Sequence, residues 1–207
     1  MITARANFLP EQRFLPLRPA LQEHLAKVGN AVKPENFLSI CDEILLKLLK
    51  DTFERIGADE GSIWLIDHEK KSLVATFNSG PNSEKIIGFE NPLGSGIISL
   101  VVASEHAFVE NQVYKNKSHS AELGKKLGKT TYAMIAVPLY FLNQVRGVIS
   151  CVQLLDVVIE KGQAEPTGKT PPGFTPLDLN AVQTLAAVVR DLLDYRLLGT
   201  AVGWNRH

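Results

Sequence analysis

The chain has 207 residues, 45% of them hydrophobic and 21% charged, a composition that builds one buried core and excludes a mainly disordered chain. Lys+Arg and Asp+Glu balance at 22 each, so no net field draws the protein to nucleic acid or to an anionic membrane surface. The two cysteines, Cys41 and Cys151, both lie in apolar runs; a disulfide framework and a paired-cysteine zinc site are excluded, and a reducing, cytoplasmic location is expected.

Residues 1–33 read as an N-terminal arm. Pro10, Pro16 and Pro19 punctuate it, and a short amphipathic helix follows in which Leu21, Leu25 and Val28 share a face. No apolar stretch there is long enough for a signal peptide, and no later window approaches the ~18 apolar residues of a membrane span. From Pro34 to Ile56 the spacing is helical, with one stripe of Phe37, Ile40, Ile44 and Leu48 beside another of Leu38, Leu45, Leu49 and Phe53. A helix lying on a sheet needs an apolar arc of roughly 100°. The surplus predicts a second partner, such as a helix from another copy of the chain: a homodimer held by this helix, with Leu45 and Leu49 in the seam, together with the C-terminal helix near 176–198.

After Gly57 the period changes to two. Ile63 and Leu65 oppose Ser62, Trp64 and Ile66, a charged turn spans 67–71, and Leu73 to Phe77 return as the second strand of a hairpin. Pro92-Leu93-Gly94-Ser95-Gly96 then leads into a short buried helix from Ile97 to Val102, whose N-terminal amides are placed to face a ligand. Residues 111–131 are polar and Lys-rich. Met134 to Phe141 and Val145 to Leu155 form a second hairpin around Asn143-Gln144, with a bulge or unpaired edge expected at Pro138. A Gly- and Pro-rich surface loop covers 156–173. Thr175-Pro176-Leu177-Asp178 reads as N-cap, N1 proline and acidic N3 of a long helix carrying Val182, Leu185, Val189 and Leu192 beside Ala186, Leu193 and Leu197. A tail closes the chain at 199–207.

Five strings in this order resemble landmarks of the GAF family: Gly61-Ser62-Ile63-Trp64-Leu65, Pro92-Leu93-Gly94-Ser95-Gly96-Ile97, Asn111-Gln112-Val113-Tyr114, Met134-Ile135-Ala136-Val137-Pro138-Leu139 and Gly147-Val148-Ile149. The resemblance covers 34–198. It implies an α/β (α+β) domain with an antiparallel sheet of about six strands, helices on both faces, and a ligand cavity between the sheet and the helices of 97–131. Members bind cyclic nucleotides, bilins, haem, flavin or small metabolites, and others only dimerise. The cyclic-nucleotide members carry an Asn-Lys pair after the last strand and a Phe-x3-Asp-Glu string entering the final helix. Phe174 and Asp178 match that string, whereas Leu155, Asp156 and Leu179 replace its other members, so the Lys to Asp ion pair is lost and tight cyclic-nucleotide binding is not expected. Asp178 is left as a helix-capping acid. The phytochrome-like thiol before His119 is Ser118, which excludes a bilin thioether there and leaves His119 as a lid residue. Cys41 and Cys151 are expected to be packed and inert, unlike the pocket thiols of free methionine sulfoxide reductases.

No catalytic constellation, P-loop or dinucleotide fingerprint occurs, so the chain reads as a non-enzyme. By the resemblance, the cavity wall is assigned to Phe77, Ile97, Val113, Tyr114, Thr130, Thr131 and Met134, with the threonines as hydrogen-bonding groups and Tyr114 as a ring platform. No metal ligands are assigned and the ligand stays unidentified. Two functions are left open: an intracellular small-molecule-sensing regulatory module, and a ligand-free module for homodimerisation or partner docking. A thiol-dependent reductase is a third, less favoured reading.

Overall fold

The computed structural model describes residues 12–159 and 169–204. The start of the arm, the centre of the Gly/Pro loop and the last tail residues lie outside the described residues. Six strands form one antiparallel sheet: β1 (Glu60–Ile66), β2 (Ser72–Asn78), β3 (Glu90–Pro92), β4 (Phe108–Glu110), β5 (Thr130–Phe141) and β6 (Gln144–Leu155), in the order β3-β2-β1-β6-β5-β4. The two long hairpins therefore meet at the centre, where β1 pairs with β6 from Glu60↔Val152 to Leu65↔Gly147. Helices α1 (Arg18–Ala31), α2 (Glu43–Arg55) and α6 (Pro176–Val202) group on one side; α3 (Ser83–Ile86), α4 (Gly96–Ser104) and α5 (Glu122–Leu127) roof the other. This is the six-stranded α/β arrangement expected from the sequence. No helix among the described residues is long and apolar enough to cross a membrane.

Local chemistry explains most boundaries. The final helix starts with a capping box: the Asp178 amide donates to Thr175 Oγ1, and Asp178 Oδ2 accepts from the Thr175 amide at 2.8 Å. Asp178 is thereby the capping acid expected of it. Leu142 and Asn143 both take positive φ, 50° and 60°, and make the two-residue turn of the β5–β6 hairpin one position earlier than Asn143-Gln144. Pro138 lies beyond the last β4 pair, Phe108↔Ala136, on a stretch of β5 with a neighbour on one side only. A missing N–H is tolerated there.

The segment 34–56 departs from the continuous helix expected. A 3-10 turn at Phe37–Ile40 ends at Cys41, and α2 begins only at Glu43. Asp42 is the cause: its Oδ1 accepts from the Leu45 amide at 2.8 Å, and its other oxygen meets Arg196 of α6. The backbone hydrogen bond first, and Arg196 second, hold the Asp42 carboxyl below the usual aspartate range.

The apolar surplus on these helices is also covered differently. Leu45 and Leu49 are 0% exposed within a single chain, packed in the core that α2 and α6 make with the sheet, whereas Ile44 is 75% exposed. Val182, Leu185, Val189, Leu193 and Leu197 are likewise buried, because α6 touches β5, α2 and α1 together. Three neighbours cover an arc that one sheet cannot. Leu45 and Leu49 therefore belong to the core and not to a seam between copies.

Candidate ligand-binding cavity

The sheet face opposite α2 and α6 is not filled by side chains throughout. A cavity of about 90 Å³ lies between it and the roof. Its floor takes alternate residues of the central strands: Glu60, Ser62 and Trp64 of β1, and Ser150, Val152 and Leu154 of β6. Strand alternation puts these on one face while Ile63, Leu65, Ile149 and Cys151 enter the opposite core. Thr131 and Met134 of β5 extend the floor; Ile97 and Ile98 of α4, with Leu123 and Leu127 of α5, form the roof.

Polar groups on the floor are mostly paired with one another. Trp64 Nε1 donates to Ser150 Oγ at 3.0 Å, and Asn78 Nδ2 to Ser62 Oγ at 2.9 Å. The Trp64 ring meets Phe89 edge to face, with centroids 6.4 Å apart. Asn91 ties β3 to α4 by donating to Ser95 O at 2.8 Å and Ser99 Oγ at 3.2 Å. A second, outer chamber of about 310 Å³ adjoins the first and shares His119, Gly124, Lys129 and Thr131 with it. Its wall adds Tyr114 and Thr130, where Tyr114 stacks on Tyr132 at 6.0 Å and Thr130 Oγ1 accepts from the Ile159 amide at 2.9 Å.

The residues assigned from sequence thus separate into groups. Ile97, Thr131 and Met134 line the inner cavity, and Tyr114, Thr130 and Thr131 the outer chamber. Val113 is fully buried in the core beneath the roof. Phe77 lies on the other side of the sheet, packed with Ile63 in the α2/α6 core. A β-bulge is the reason: between Ile63↔Phe77 and Trp64↔Ala75 the register shifts, leaving Thr76 over, with its Oγ1 donating to Ile63 O. One extra residue turns every later side chain to the opposite face. Leu73 and Ala75 face the roof, and Phe77, although two residues further on, does not. Glu60, Ser62, Trp64 and Ser150 were not assigned to the wall from sequence, though the alternation of β1 already placed Ser62 with Trp64. His119 is half-buried between the two chambers rather than on an outer lid surface.

Asp156, at the position where cyclic-nucleotide members place Lys, pairs with Lys129 Nζ at 3.2 Å. Neither thiol lines either chamber. Burial raises Cys151 to about 12 and Cys41 to about 11, the latter against the opposing pull of Arg196. Both are therefore thiols at neutral pH. A disulfide-exchange reagent should label Cys151 in the native state at least about a hundredfold more slowly than in urea, as followed by mass shift; equal rates would put a reactive thiol at the sheet. Among the described residues, no three His, Cys, Asp or Glu groups gather in a way that could hold a metal ion.

Solved structures with this arrangement include two GAF domains of phosphoenolpyruvate-protein phosphotransferases. That from Acinetobacter is 17% identical with a TM-score of 0.55, and that from Coxiella burnetii 18% identical with 0.57; each match covers 90% of this chain and 96% of the other. A type II free methionine-R-sulfoxide reductase from Thermoplasma acidophilum is 17% identical with a TM-score of 0.50, over 73% of this chain and 92% of that one. At these identities the likeness is one of fold. No curated protein sequence matches the chain significantly. The GAF domain family model matches residues 42–194, most of the chain, and with the sheet order and roofed cavity described above the protein belongs to the GAF family.

Proposed function

We propose that this chain is a non-catalytic sensing module that holds one small molecule between its sheet and the helical roof. The observation that carries this reading is the inner cavity, whose floor is the most central part of the sheet and whose roof is made of three short helices. A mostly apolar space with a few convergent polar groups is the usual form of a small-molecule site. Short helices are also easily displaced, so occupancy would alter the roof and, through Lys129 and Thr131, the outer chamber. Two protonated thiols outside the cavity, Cys151 buried and Cys41 half-buried, count against a thiol-dependent reductase.

Native mass spectrometry of the freshly purified protein tests the proposal. A stoichiometric mass increment lost on denaturation is expected; a bare chain, together with no change in melting temperature across a metabolite panel, would reject it. Cyclic nucleotides should not be among the ligands. Asp156, where the cyclic-nucleotide members place Lys, is paired with Lys129, and Asp178 is committed to its cap. Calorimetry with cyclic AMP and cyclic GMP should give no dissociation constant in the micromolar range.

A second reading, homodimerisation, is favoured by one specific feature. Leu177, Val188, Tyr195 and Val202 are exposed on α6, and their spacings of 11, 7 and 7 place them along one stripe of the helix. Thr184, one turn before Val188, extends it with a small side chain. A second copy of α6 is the occupant proposed. Val188→Glu with Tyr195→Glu should convert the protein to monomers in sedimentation while leaving its melting temperature within a few degrees. Wild-type protein that sediments as a monomer would end this reading.

A further inference from the structure

We infer that the inner cavity takes a small organic cation, a primary or methylated ammonium, through the carboxylate of Glu60. This inference rests on the reading above that the cavity holds a ligand. Glu60 opens β1 and is 5% exposed, yet it lies on the cavity wall. Among the described residues its carboxylate accepts one hydrogen bond, from Asn82 Nδ2 at 3.4 Å, at the long end of such contacts. No lysine or arginine there forms an ion pair with it; Lys129, on the same wall, is turned to Asp156. A carboxylate has about four acceptor positions, and one long bond leaves most of them open to a donor that enters the cavity. An ammonium entering the cavity would bring both the missing donors and the opposite charge.

The rest of the wall suits that chemistry. Trp64 and Phe89 present aromatic rings, whose faces attract cations and repel anions. Gly80 leaves the space that the Glu60 side chain needs: a Cβ there would stand 2.4 Å from Glu60 Cγ. The free space of about 90 Å³ is small and suits a compact amine.

The test uses the full chain carrying Trp204→Phe, which leaves Trp64 as the sole tryptophan reporter. Propylammonium, 1-propanol and propionate are titrated while Trp64 emission is followed. Propylammonium should give a saturable change with a dissociation constant at least about tenfold lower than either other probe. Glu60→Gln, in the same background, should reduce that preference to less than about twofold with an unchanged circular dichroism spectrum. If 1-propanol or propionate binds as well as propylammonium, or if Glu60→Gln keeps the preference, the cation assignment is overturned while the sensing reading stands. If none of the three binds, the assignment also falls; the sensing reading falls with it only if the native mass spectrum shows a bare chain and no member of the metabolite panel changes the melting temperature. Should Glu60→Gln fail to fold, the ranking of the three probes on the Trp204→Phe chain decides alone.

Discussion

Leu49→Glu is expected to leave little folded protein at room temperature, while Ile44→Glu, one and a half turns away on the same helix, leaves the melting temperature nearly unchanged. Leu49 is 0% exposed and shares the α2/α6 core with Phe53, Ile63 and Leu193. A carboxylate forced into that core has no cationic partner among the core residues; the lost Leu packing, about 2–5 kcal/mol, and several kcal/mol more for burying the charge together rival the whole stability. Domains of this size have roughly 5–15 kcal/mol in all. Ile44 is 75% exposed, and a change at such a surface position stays within about 0.5 kcal/mol. Urea unfolding followed by circular dichroism separates the two. A Leu49→Glu protein that stayed folded and merely became monomeric would place the buried face of α2 between two copies, against the packing described above.

That contrast shows where sequence reasoning reached its limit. The 3.6-residue period located α2 and α6, and Thr175-Pro176-Leu177-Asp178 located the start of α6 to the residue, because a capping box is a purely local device. Counting apolar residues around a helix says how much must be covered and not by what. Here α1, α2 and β5 share α6 among them, and only the residual stripe through Val188 and Tyr195 stays outside. The same limit applies to the cavity. Period two placed Ser62 and Trp64 on one face of β1, but that β1 is central, and so has covered faces on both sides, follows from the β1–β6 pairing, a contact between segments more than 80 residues apart. Without it, Glu60 and Ser62 read as solvent-facing. The bulge at Thr76 is equally silent in sequence, and it alone removes Phe77 from the wall.

Gly147→Ala is expected to destabilise the protein by about 3 kcal/mol or more, with no single side-chain change able to restore it. A Cβ at this position would stand 1.9 Å from the carbonyl oxygen of Trp64 and 3.1 Å from the Cα of Leu65. Both are backbone atoms of β1, held in register by the Leu65↔Gly147 and Trp64↔Val148 pairs. The strands must part locally, breaking ladder hydrogen bonds at the centre of the sheet, which places the change at or beyond the upper end of ordinary overpacking costs. Gly61→Ala is the informative comparison. Its Cβ would stand 2.0 Å from Cδ2 of Phe53, a side chain of α2, so shortening that side chain by Phe53→Leu should recover part of the loss. For Gly147→Ala no such partner exists. Separation of the strands there also moves Trp64 and weakens its bond to Ser150, so emission from Trp64 in the Trp204→Phe background should shift to the red in Gly147→Ala and much less in Gly61→Ala. Thermal melts give the stability and emission gives the cavity floor in the same samples. A Gly147→Ala protein that melted with the wild type would mean that β1 and β6 do not meet in the register pairing Leu65 with Gly147, and the alternation that carries Glu60, Ser62 and Trp64 into the cavity would have to be reassigned.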